Sequence, residues 1–265
     1  MARAELITPE LLRAWPLPAL GDDDDKSARG TVHVVGGSVA TAGAVLLAGL
    51  AALRVGAGRL TITTVEQTAV AVSVAVPEAM VIGAPARGGS LTQCRLDHPP
   101  DAVVIGPGIT EPGKLVRSVM DSCGDAAAVI DAVALRDLPD QLPERTVLTP
   151  NSDELRVLGS DDAGAVSAQR QAVVATQGCV AAPDGRLWRN DQGSVALGTS
   201  GSGDVLAGIV GGLLARGAEP AQAGCWGSFL HAWAGEVVSA RLGRVGLLAR
   251  ELLDDLPRLV EQLTP

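Results

Sequence analysis

Short apolar runs punctuate the chain. Thr31–Val35, Arg59–Thr64, Met80–Ile82, Asp101–Ile105, Ala126–Ile130, Thr146–Thr149 and Val173–Thr176 are aliphatic and β-branched, and most stop at Gly, Pro or Asn. Such runs predict strands buried on both faces. Longer segments of helical period lie between and after them: Ala42–Arg54, Gln67–Val76, Glu111–Cys123, Asp153–Leu158, Ala163–Gln171, Asp204–Arg216, Pro220–Leu242 and Leu247–Leu263. Ala42–Arg54 is apolar on nearly every side, which predicts a helix sandwiched between layers. Cys179–Arg189 reads as a β-hairpin turning at Pro183-Asp184-Gly185. Strand and helix alternate throughout, the pattern of a three-layer α/β/α sandwich with a mostly parallel central sheet. No repeat or linker divides the chain, so residues 1–265 are expected to form one domain. Residues 1–29 are its leader, with a helix capped by Thr8 and Pro9 and a solvated acidic loop at Asp22–Lys26.

Composition narrows the class. Hydrophobic residues make up 47% of the sequence, yet there are only four Trp, one Phe and no Tyr. The core must therefore be aliphatic and closely packed. A formal net charge of −9 argues against nucleic-acid or anionic-membrane partners. The scattered Cys94, Cys123, Cys179 and Cys225 make no metal-binding or disulfide pattern, which fits a reduced cytoplasmic protein. Glu5, Pro9 and Glu10 stand where a signal peptide would be apolar. Val34–Leu53 is uncharged and long enough to cross a bilayer, but its glycines read better as a buried strand, loop and helix.

The richest chemistry lies in Leu197–Gly217, where the glycine loop Gly198–Asp204 runs directly into an apolar helix. Glycines let backbone approach a phosphate, and a helix N-terminus offers unpaired N–H groups and a positive dipole end. Asp204 cannot ligate phosphate by charge. It reads either as a helix-terminal residue or as a base for a hydroxyl about to meet a phosphoryl group. In a parallel sheet, ligands bind beyond the carboxyl ends of the strands. The loops expected there are Gly36–Ser38, Gly106–Gly108, Asp131, Asn151–Glu154 and Gly198–Asp204. Asp131 either binds a ligand or caps the next turn. His33 reads as a satisfied core histidine, and His231 and Trp233 as core or subunit packing. Trp15 and Trp188 read as surface or interface contacts.

Asn151-Ser-Asp-Glu154 is similar to the N-x-x-E motif of ribokinase-like kinases, and Gly201-Ser-Gly-Asp204 to their G-x-G-D motif. A longer match is narrower. Val34–Thr63, Val104–Ile109, Val129–Leu135, Val147–Glu154 and Leu197–Leu214 resemble, in order, the NAD(P)H-hydrate dehydratases, a branch of that superfamily. The resemblance implies removal of water from hydrated NAD(P)H, driven by an adenine nucleotide, with Mg2+ and ADP or ATP as co-substrate. It places Asp204 as base, with the backbone of Gly201, Ser202 and Gly203 around the migrating phosphoryl group. Ala44, Gly108, Asn151 and Asp204 would meet the hydrated nucleotide. Gly178, Thr199 and Gly203 would face the adenine nucleotide, and Glu154 would organise Mg2+. It also implies a homo-oligomer, typically a tetramer, for which the helix Pro220–Leu242 could supply an interface.

Three departures from the family pattern stand out. Val133 replaces an acidic residue in Asp131–Leu135, Asn151 replaces a histidine, and Thr176-Gln177-Gly178 lacks the usual lysine. Arg54 is conceivable as a cation on the phosphates, although its place before Gly56 suits a helix end better. These departures keep two alternatives open: a ribokinase-like small-molecule kinase and a degenerate nucleotide-binding paralogue.

Overall fold

The computed structural model describes residues 4–19, 26–193 and 195–264. Most of the acidic run Asp22–Lys26 lies outside the described residues. Ten strands form one sheet: β1 (Glu5–Leu6), β2 (Thr31–Val35), β3 (Arg59–Val65), β4 (Ala79–Ala84), β5 (Ala102–Ile105), β6 (Ala127–Ile130), β7 (Thr146–Leu148), β8 (Val173–Ala175), β9 (Cys179–Ala181) and β10 (Leu187–Arg189). Their order is β1-β10-β9-β8-β7-β6-β5-β2-β3-β4. β9 pairs antiparallel with both β8 and β10, and every other pairing is parallel. The helices are α1 (Pro9–Ala14), α2 (Gly43–Arg54), α3 (Glu66–Ala75), α4 (Leu115–Met120), α5 (Ser152–Val157), α6 (Ala163–Arg170), α7 (Ser202–Ala215), α8 (Pro220–Leu242) and α9 (Leu256–Leu263).

Alternation along the strands divides the core in two. Val32, Val34, Val104, Val129 and Val147 face α2, α7 and α8, while Val35, Val103, Ile105, Ile130 and Leu148 face α4, α5 and α6. Successive side chains of a strand point to opposite faces, so a sheet covered on both sides needs apolar residues at every position. This is the expected three-layer sandwich.

The scarcity of aromatics shows in how α2 and α7 meet. A Cβ built on Gly208 would lie 2.1 Å from the Ala48 carbonyl oxygen, and one on Gly212 would lie 2.6 Å from that of Ala52. The two backbones touch where most helix pairs are held apart by side chains. This contact carries the N-terminus of α7 to the edge of the sheet.

The leader helix forms as α1 with Thr8 as its N-cap, and the leader also adds β1 to β10 and buries Ile7 and Leu12 in the core. Three expectations change. The helix predicted at Glu111–Cys123 is only Leu115–Met120, because Pro112-Gly113 delays its start. Leu247–Leu263 is broken into a 3-10 turn at Ala249–Leu252 and α9, since Pro257 is tolerated only in a first helical turn. Trp188 is buried, with its ring 5.8 Å from that of Trp15. α8 is buried without a break from Ala221 to Ala232 inside its own chain, while Trp233, Glu236, Val237 and Leu242 farther along it stay partly exposed.

Val34–Leu53 is the end of β2, a loop and α2, and no described helix is long and apolar enough to cross a membrane. All four cysteines are free. His33 is a satisfied core histidine, its Nε2 2.8 Å from Thr63 Oγ1.

Candidate active site

The central strands β2, β5, β6, β7 and β8 are neighbours and parallel, so their carboxyl ends lie along one edge of the sheet. The loops that leave those ends are Gly36–Ser38, Gly106–Gly108, Asp131, Thr149–Asn151 and Thr176–Gly178. α7 begins at the same edge.

Gly201 is the N-cap of α7 and has φ 88°. That left-handed backbone favours glycine and turns the chain sharply into the helix. Ser202, Gly203 and Asp204 are therefore the first three helical residues, whose N–H groups have no intrahelical acceptor. The Ser202 N–H makes a long 3.3 Å bond to the Thr199 carbonyl. Gly203 is exposed, with open space where a side chain would stand. Asp204 is half-buried, and burial followed by the charge of Glu154 pushes its carboxyl up to about 6.

Asn151 and Glu154 close a capping box on α5. Asn151 Oδ1 accepts from the N–H groups of Asp153 and Glu154, both at 2.9 Å. Glu154 Oε2 accepts the Asn151 N–H at 2.8 Å. The Asn151 oxygen is thus committed to the helix end, and its amide NH2 is what it can offer a ligand. Burial raises the Glu154 pKa, opposed by its Asn151 bond and by the charge of Arg136.

Asp131 ends β6 with its side chain buried. It makes no capping bond to the following turn, and accepts instead from Thr149 Oγ1 at 2.8 Å. Burial, then the charge of Asp204, pushes its carboxyl up to about 8. Asp131, Glu154 and Asp204 thus act on one another electrostatically across the sheet edge.

A cavity of about 230 Å³ is lined by Thr149, Asn151, Thr176, Gly178, Gly203 and Leu206 among others; Asp131, Glu154 and Asp204 do not line it, although Asp204 follows Gly203 directly. It brings Asn151, Gly178 and Gly203 together. Thr199 does not line it. Ala44 and Gly108 meet each other and do not line this cavity: Gly108 has φ 69°, and a Cβ there would lie 2.8 Å from that of Ala44. One turn along α2 from Ala44, Leu47 packs against Gly201 and joins this wall to the glycine loop. Arg54 lies ten residues along α2 from Ala44, about 15 Å away at the helical rise. It faces Asp254 at 3.5 Å, which removes it as a cation for this site.

One link was not visible in the sequence. His231 is fully buried, as expected of a core residue, but its Nε2 lies 2.9 Å from Ser202 Oγ. No local pattern connects positions 29 residues apart. The only hint was a histidine among small and apolar residues of α8.

The sequence model of the NAD(P)H-hydrate dehydratase family matches residues 32–258. The chain belongs to this family. It is 39% identical to the ADP-dependent (S)-NAD(P)H-hydrate dehydratase of Xanthomonas campestris pv. campestris, with 98% of each chain covered. The Bacillus subtilis protein of the same name is 32% identical, with 95% of this chain and 96% of that one covered. The structure of the Bacillus subtilis ADP/ATP-dependent NAD(P)H-hydrate dehydratase, co-crystallised with ATP and Mg2+, is similar with a TM-score of 0.86 and 30% identity. It covers 99% of this chain and 100% of that chain. A ribokinase-like superfamily protein from Enterococcus faecalis shares the fold with a TM-score of 0.82 at 22% identity, covering 98% of this chain and 96% of that one.

Proposed function

We propose that this protein restores hydrated NAD(P)H to NAD(P)H by dehydration coupled to cleavage of ADP or ATP. One observation carries the reading: Asp204, with its carboxyl raised to about 6, stands in the first turn of α7 directly after Gly203, which lines the cavity with Asn151 and Gly178. A carboxylate titrating near the working pH can both lose its own proton and take one from a hydroxyl.

Hydroxide is a poor leaving group from the hydrated ring. Asp204 takes the ring hydroxyl proton as that oxygen attacks the terminal phosphorus of the nucleotide. The bond to the nucleotide's bridging oxygen breaks, and ADP departs as AMP, or ATP as ADP. The electron pair of the ring nitrogen then expels phosphate, and loss of a ring proton restores the dihydropyridine. Phosphoryl transfer of this kind depends on positioning and charge. N–H groups of Gly201, Ser202 and Gly203 and the helix dipole supply positive potential to the migrating group. Ala44 and Gly108 form the wall for the hydrated nucleotide, and Asn151 offers its amide NH2. Gly178 and Gly203 border the adenine-nucleotide side, with Thr199 in the loop leading to the helix.

The donor set fits Mg2+. Glu154 is an oxygen donor at the sheet edge, and Mg2+ takes few protein carboxylates, filling its shell with phosphate and water. No group of three metal-ligating side chains stands together among the described residues. Bound there, Mg2+ would neutralise charge on the nucleotide phosphates. The same reading places the protein in the cytoplasm as a homo-oligomer, assembled through a surface other than the buried part of α8.

The test is return of reduced-nicotinamide absorbance from hydrated NADH with Mg2+ and either ADP or ATP. Nucleotide-dependent recovery, lost in Asp204→Asn, supports the reading. Nucleotide binding without recovery sinks it.

A further inference from the structure

α8 passes behind both loops that border the cavity. Two of its polar residues, Ser228 and His231, are spaced i, i+3 and share one face. Both are completely buried. His231 Nε2 is 2.9 Å from Ser202 Oγ in the first turn of α7. The Ser228 hydroxyl reaches the carbonyls of Thr176 at 3.0 Å and Gln177 at 3.1 Å, in the loop after β8. Asn190 completes that side: its amide donates to Ser228 O at 2.9 Å, Ser228 Oγ at 3.1 Å and Gln177 O at 3.3 Å.

Buried polar side chains on a core helix cost stability unless they are hydrogen-bonded. Here the compensating bonds run to the two loops that border the cavity. The His231 tautomer follows from the same accounting. Nδ1 is buried with no partner. A proton there would be an orphaned donor, whereas a proton on Nε2 is shared with Ser202 Oγ. Burial holds the ring's pKa down to about 4, so the imidazole is neutral at physiological pH.

We propose that His231 and Ser228 form a two-point clamp, fixing the glycine loop through Ser202 and the adenine-side loop through Thr176 and Gln177. In it, His231 carries its proton on Nε2 and donates to Ser202. Both are positioning residues, and neither touches substrate. The clamp rests on the reading of this cavity as the phosphoryl-transfer site. It does in this chain what local contacts cannot: it sets the separation of two loops that share no strand pairing.

The full-length protein and its His231→Leu, His231→Gln and Ser228→Ala variants test this. His231→Leu lowers kcat at least tenfold, with the Kd for ADP changed less than threefold. His231→Gln, which keeps a donor for Ser202, recovers kcat to within threefold of wild type. Ser228→Ala instead weakens ADP binding at least threefold. Amide hydrogen exchange reads the clamp without turnover. It accelerates in Gly198–Asp204 for His231→Leu and in Thr176–Gly178 for Ser228→Ala. If wild type fails to dehydrate hydrated NADH while exchange responds this way, the clamp stands and the activity reading falls. A folded His231→Leu with wild-type kcat and unchanged exchange overturns the clamp, as does equal impairment of the Leu and Gln variants. Should His231→Leu not fold, Ser202→Ala removes the same bond from its other end and carries the same expectations for exchange and kcat.

Discussion

Thr149 donates its hydroxyl to Asp131 Oδ1 at 2.8 Å, yet this bond does not keep the Asp131 carboxyl ionised. Burial and the nearby charge of Asp204 outweigh it, so the carboxyl reaches about 8. In the folded chain Asp131 holds a proton at neutral pH that the unfolded chain has already released.

This relationship has a sign that can be measured. Between its ordinary value of 3.8 and about 8, the folded state binds the extra proton, so stability falls as pH rises through that window. Asp131→Asn removes the titration and keeps an oxygen to accept from Thr149. The variant's melting temperature should exceed wild type at pH 8 in EDTA, with the gap closing toward pH 4. Relief of ~1 kcal/mol corresponds to about 2–4 °C in a chain of this size. Equal melting temperatures at both pH values would refute the assignment.

Asp204 has the opposite consequence for rate. As a base it works only when ionised, and its carboxyl titrates at about 6. Values of kcat/KM for the hydrated nucleotide should fall as pH drops through about 6. Asp204→Asn should lose ~10²–10⁴-fold in kcat without unfolding, the usual worth of a positioned base. A variant that retains a tenth of the rate would exclude the role.

Asn151 and Glu154 separate capping from binding. Asn151→Asp preserves the oxygen that accepts from Asp153 and Glu154 but loses the NH2. Its melting temperature should match wild type while KM for hydrated NADH rises. Asn151→Ala should also lose the cap, at about 1 kcal/mol. Glu154→Gln still accepts the Asn151 N–H, so it should melt normally yet need more Mg2+ for half-maximal rate. Thermal melts beside Mg2+ titrations decide both cases.

Gly208 has no room for a methyl group, because the Ala48 carbonyl oxygen would lie 2.1 Å from it. Gly208→Ala should push α7 off α2 and cost about 1–3 kcal/mol or more, measured by denaturant unfolding. Since α7 carries Asp204, kcat should fall with it.

The β–α alternation, the two-sided apolar strands and the glycine loop before α7 were all legible as runs of residue type. Such features rest on interactions between near neighbours, and local physics governs them. Asn151 and Glu154, three positions apart, read only as a ligand motif with the helix starting at Asp153, and their capping box is a finding of the structure. Pro112 and Pro257 set helix boundaries that periodicity alone placed too generously.

Other relationships came from strand order and helix crossings. Asp131 feels Asp204 because β6 lies at the centre of the sheet and α7 packs across it, although 73 positions separate the two. Trp188 is buried because the leader folds back as β1 and α1 beside β10. His231 reaches Ser202 only because α8 crosses behind the start of α7. Each partner is chosen by burial that the whole sheet creates, and no window along the chain contains that information.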